Sequence, residues 1–170
     1  MITESSIEIE ASAEVVWRIF SQVERWPKWT ASVGRVTPLD GPDLAVGRRY
    51  EILQPRFPRL VWTVTELDTG RGWIWRQRSP GSTALAVHEV VPLGGGRRTL
   101  VRQRIDQRGP GGLLVGFLSR RLTRRYLAME AEGLKRASEA AAAGPEPEPE
   151  ATPALRSIRD TARTVSQIER

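Results

Sequence analysis

Cysteine is absent from the chain, histidine occurs once and lysine twice. Without cysteine there are no disulfides, thiolate metal sites or cysteine nucleophiles, and the chain is indifferent to redox compartment. With His88 as the sole imidazole, a protein-built zinc site lacks ligands, and no metal is expected. No segment approaches the length of a membrane span, and Met1 to Ser6 have neither the basic start nor the apolar run of a signal peptide. A cytoplasmic location is the expectation. Also missing are a phosphate-cradling glycine loop with lysine, a nucleophile elbow, an internal repeat and any nucleic-acid-binding motif. No cofactor and no specific nucleic acid are therefore expected.

What is present is mostly arginine among the cations, and a formal net charge of +6. The tail from Gly144 holds four Arg against four Glu and one Asp, so the basic excess lies in the preceding residues. A basic surface attracts anionic lipid, nucleic acid or anionic small molecules, and charge alone does not choose among them. The 170 residues suit one domain over 1–143 with an appendage. Alternating Pro and Glu make 144–153 an extended, disordered linker, and 154–170 reads as a flexible tail with one short helical stripe.

Ser6 to Ala11 alternates as a strand with one buried face, and Ser12 caps a helix from Ala13 to Ser21. Pro27 stops an ordinary helix from continuing through Glu24 to Trp29. Strands are expected near Ser32–Leu39, Gly47–Gln54, Leu60–Asp68, Gly72–Ser79, Ser82–Pro92 and Arg97–Asp106, the last two joined by a Gly94–Gly96 turn. From Leu113 to about Ala143 the period is helical. This order describes an α+β chain: a curved antiparallel sheet of about seven strands around one long C-terminal helix.

The candidate site begins with the aromatics. Trp73 and Trp75 share a strand face with Gln77, an apolar wall carrying one amide, and Trp62 lies in the strand before them. On the long helix Leu114, Leu118, Leu122, Tyr126, Met129 and Gly133 fall within an arc of roughly 120°, and Arg125 falls inside it. An Arg there either clamps a ligand's carboxylate, enolate or phosphate, or reaches the cavity mouth or a partner such as Glu89. His88 shares a strand face with Ala84, Ala86 and Val90, where it serves either as a general base or as a structural residue.

The opening strand with Ser12-Ala-Glu-Val-Val-Trp-Arg-Ile-Phe20, the Val23-Glu-Arg-Trp-Pro-Lys-Trp29 turn, the Trp62–Asp68 strand and the helix from Arg120 to Arg136 resemble the START-like superfamily known as SRPBCC. Within it they resemble the polyketide cyclase/dehydrase-like branch. The resemblance covers roughly Ser5 to Ala140. It implies a helix-grip fold with two short helices after the first strand and a cavity between sheet and long helix. It also implies that Trp26 and Trp29 lie near the cavity entrance, with Tyr50 and Phe57 beside them. The expected function is binding of a lipid-like, polyketide-like or aromatic molecule. The alternatives are a cyclase or dehydratase using His88 and Arg125, and a basic module that contacts a protein partner or an anionic membrane surface peripherally.

Overall fold

Seven antiparallel strands form one sheet in the order β1-β7-β6-β5-β4-β3-β2 in the computed structural model, which describes residues 1–144 apart from the side chains of 112–116. The linker and tail expected beyond Gly144, and the side chain of Leu114, lie outside the described residues. The strands are β1 (Ile2–Ile9), β2 (Arg35–Pro38), β3 (Arg49–Leu53), β4 (Leu60–Asp68), β5 (Gly72–Ser79), β6 (Ser82–Leu93) and β7 (Arg98–Arg108). Helix α1 (Ala13–Phe20) follows β1, and α2 (Pro110–Ala143) closes the described chain. The Ser12 side chain accepts a hydrogen bond from the Val15 amide and starts α1.

Pro27 does not end helical structure altogether. It sits inside a 3-10 helix, Val23–Lys28, whose short hydrogen-bonding pattern tolerates its missing N–H. This turn is the second short helix that the resemblance implies. β1 begins four residues earlier than its apolar alternation indicates, because Ile2 to Ser5 pair with Gln103 to Asp106 of β7. The expected turn between β6 and β7 is built from Gly94, Gly95 and Gly96, all at positive φ, where a side chain would be strained.

The register builds rows of side chains across the concave face. Gln103, His88 and Trp73 form one row; Ile105, Ala86, Trp75 and Val64 form the next; Gln107, Ala84, Gln77, Trp62 and Tyr50 form a third. Ala84 and Ala86 stand between large neighbours, so the face is hollow at β6. Helix α2 lies against β1, β6, β7 and α1. Its close approach depends on Gly133, where a Cβ would sit 2.2 Å from the Trp29 carbonyl oxygen. Among the described residues no helix is long and apolar enough to cross a membrane.

Candidate functional site

A cavity of about 300 Å³ lies between the sheet and α2. Its walls include Phe57, Leu60, Trp62, Ala84, Ile105 and Leu127. Gln54, Gln77, Ser79, Thr123, Tyr126 and Glu130 add isolated polar groups. Thr123, Tyr126, Leu127 and Glu130 come from α2 at spacings of three, four and seven residues, which put them on one helix face. Tyr126 donates its hydroxyl to the Pro55 carbonyl and meets Phe57 edge to face, fixing the β3–β4 connection against the helix. An apolar hollow with few polar groups is the usual form of a small-molecule site.

Beside it a chamber of about 40 Å³ shares Gln54, Trp62, Ile105, Leu127 and Glu130 with the main cavity. Trp26, Trp75, His88 and Gln103 are among its other walls. Glu130 is 6% exposed. Its Oε1 accepts from the Ser32 hydroxyl at 3.0 Å and its Oε2 accepts from Gln103 Nε2 at 3.0 Å. Burial pushes its carboxyl up to about 7, and the two hydrogen bonds only partly oppose that shift. The Gln103 Oε1 is buried with no partner. A carboxyl that exchanges its proton near neutrality and an orphaned amide oxygen thus meet at the inner end of an apolar cavity.

His88 is enclosed by aromatics: Trp73 stacked on it, and Phe20, Trp26 and Trp75 edge on. Desolvation lowers its pKa to about 3, against a small opposing contribution from the Trp73 backbone. Nδ1 makes no hydrogen bond of good geometry. The imidazole is therefore neutral across the physiological range. The β6 face carrying Ala84, Ala86, His88 and Val90 is the inward one, a point the sequence pattern leaves open.

The structure brings part of the predicted set together. Trp62, Gln77 and Tyr126 border the main cavity, and Trp26, Trp75 and His88 border the inner chamber. Tyr50 is buried in the core with its hydroxyl on the Asp43 carbonyl, and Trp73 is occupied by His88 and by α1. Trp29, Leu122 and Met129 are half-buried and border neither space. The predicted inner face of α2 needs correction. Leu118 is 74% exposed and Arg125 is exposed, as are Arg120, Arg121 and Arg124. The helix instead buries Thr123, Tyr126, Leu127, Glu130, Ala131, Leu134 and Ser138. His88 and Arg125 thus do not converge on one cavity.

The arc is displaced because α2 presents polar and small residues inward, which an apolar count discards. An apolar count passes over Glu130 for that reason, and Gln103, on β7, is brought to it only by the packing of α2 on the sheet. The available signal was Glu130 standing four residues after Tyr126 and four before Leu134, on a stripe that is otherwise apolar or small. Two larger hollows, about 530 and 610 Å³, lie on the outward face of the sheet. Glu4, Glu66, Glu89, Arg102 and Arg104 border them. They hold no buried polar group outside the row already described.

Residues 2–139 match the family described as polyketide cyclase / dehydrase and lipid transport. No curated protein matches the chain. Among solved structures, the chain is similar to norcoclaurine synthase from Thalictrum flavum in complex with dopamine and hydroxybenzaldehyde. The identity is 15%, with 87% of this chain and 89% of that one covered and a TM-score of 0.65. A hypothetical protein from Helicobacter pylori is similar at 14% identity, 81% and 88% coverage and a TM-score of 0.70. A protein from Thermus thermophilus is similar at 15% identity, 84% and 99% coverage and a TM-score of 0.66. At these identities the likeness is one of fold, a curved sheet gripping a long helix.

Proposed function

The chain belongs to the polyketide cyclase / dehydrase and lipid transport family, and on that premise we propose that it binds a small molecule with an apolar or aromatic body in the cavity between sheet and α2. The observation that supports this reading is the hollow at Ala84, faced by Trp62, Ile105 and Leu127 and ending at Glu130. Its volume is at the lower end of the roughly 300–1,000 Å³ of ordinary ligand sites, which suits a molecule of one or two rings. The protein acts as a carrier or sensor in this reading, at a cytoplasmic location.

The test is isothermal titration with 2-naphthol of the wild type and of Ala84→Trp, whose indole fills the hollow. Saturable binding lost in the variant, with the melting temperature retained, is the expected result. Equal heats from both proteins contradict it.

One observation favours a second, enzymatic reading. Glu130 is a cavity group poised to exchange a proton near neutral pH, which is what general acid–base catalysis requires. His88 is a poor base by the same criterion, being charged only near pH 3. A cyclase or dehydratase built on this fold would therefore turn on Glu130, and its activity would fall away in Glu130→Gln while ligand binding persisted.

A further inference from the structure

We infer that the cavity selects a ligand whose inner end is a primary or secondary ammonium group, received by Glu130 and Gln103. The inference rests on the cavity being the binding site, and adds the chemistry of the head group.

It begins with what the chamber lacks. Among the described residues Glu130 is held by a hydroxyl and an amide, with no cation beside it. From β6 the chamber receives His88, which is uncharged; from β7 it receives Gln103; from the segment after the 3-10 turn comes Ser32. Gln54, just after β3, and Trp62 of β4 approach without charge. Arg104 also borders the chamber, but it is exposed and alternates on β7 with the inward Gln103, which turns its side chain to the outward face. An ionised Glu130 is thus a buried carboxylate with no counter-ion among the described residues, a costly state unless a cation is brought to it.

The second observation is Gln103. The amide is 2% exposed, and because its Nε2 donates to Glu130, the oxygen left over is an acceptor. A bound group that satisfies both residues must donate at least two hydrogen bonds and carry positive charge. An ammonium does both. Above pH 7, where Glu130 is ionised, a carboxylate head would place a second anion against it with no donor from that residue. A hydroxyl would supply one donor and leave the charge uncompensated. The apolar walls then take the remainder of the molecule, toward Phe57 and Tyr126.

Binding of the ammonium requires Glu130 to be ionised, so it is coupled to loss of the carboxyl proton. Affinity for the amine rises as pH increases through about 7 and levels off above it.

The experiment is calorimetric titration of the full chain with three probes that share a phenylethyl body: 2-phenylethylamine, 2-phenylethanol and 3-phenylpropanoate. At about pH 8 the amine is expected to bind at least about tenfold more tightly than the alcohol, with the carboxylate weakest. From about pH 8 to pH 6 the amine loses about tenfold in affinity while the alcohol stays within about twofold. Glu130→Gln removes the amine's advantage and leaves the alcohol bound. The wild-type series decides the matter even if the variant fails to fold. Equal affinity for amine and alcohol, or tightest binding of the carboxylate, overturns the head-group inference alone. Absence of binding by all three overturns the cavity reading with it.

Discussion

The imidazole of His88 lies flat against the indole of Trp73, ring centroids 4.2 Å apart and planes 10° from parallel. The two residues face each other directly across β5 and β6. The pairing fixes the charge state of the only histidine, because a stacked, desolvated imidazole has no solvent to support a proton.

Acid stability follows from that contact. The His88 pKa falls from 6.5 to about 3 on folding, so the unfolded chain takes up the proton first. Stability is present above the unfolded value and is lost as pH falls through the folded one. The loss is on the order of 5 kcal/mol across the window. His88→Leu is expected to flatten the curve below about pH 4.5, where Glu130 is protonated in both states and only the histidine titrates, measured by urea denaturation at steps between neutral and strongly acidic pH. An unchanged acid limb in the variant contradicts the assignment.

Glu130 acts in the opposite sense. Its folded pKa is raised from 4.5 to about 7, so its contribution is fully present below the unfolded value and lost as pH rises through the folded one. The magnitude is on the order of 3 kcal/mol. Where both groups titrate, between their unfolded values, the slopes oppose and the wild type is nearly flat. Glu130→Gln should expose the histidine slope alone, a stability that climbs steadily with pH. A flat curve in this variant would sink the account of the pair.

Gly133 sets how deeply α2 sits on the 3-10 turn, and through it the reach of Glu130 to Ser32. Alanine is the better helix former by about 1 kcal/mol, but its Cβ would meet the Trp29 carbonyl at 2.2 Å. Gly133→Ala is therefore expected to destabilise by about 2–3 kcal/mol. Exposed Glu132→Ala, one residue away, should stay within about 0.5 kcal/mol. Chemical denaturation of both variants checks this, and a stabilised Gly133→Ala would refute the close approach.

The fold was legible because its signals are local. Alternation marked β4 and β5 to the residue, Ser12 marked the start of α1, and the glycine run marked the β6–β7 turn. The chemistry of the site was less so. Trp62, Gln77 and Tyr126 could be named from faces and periods, and they border the cavity. Glu130 and Gln103 could not, because their partnership joins positions 27 apart and is made by register and helix placement. Arg125 drew attention by falling inside an apolar arc, yet Leu118, on which that arc also rests, is exposed. Sequence hydropathy locates a helix's average face, while a buried carboxyl shifts the real one.

The central claim is that the hollow at Ala84 holds a small molecule. The most direct measurement is native mass spectrometry of the protein purified from its own cells, comparing wild type with Ala84→Trp. The account predicts a co-purified mass of small-molecule size on the wild type that the filled variant lacks. The same spectrum from both proteins, with or without an adduct, would contradict it.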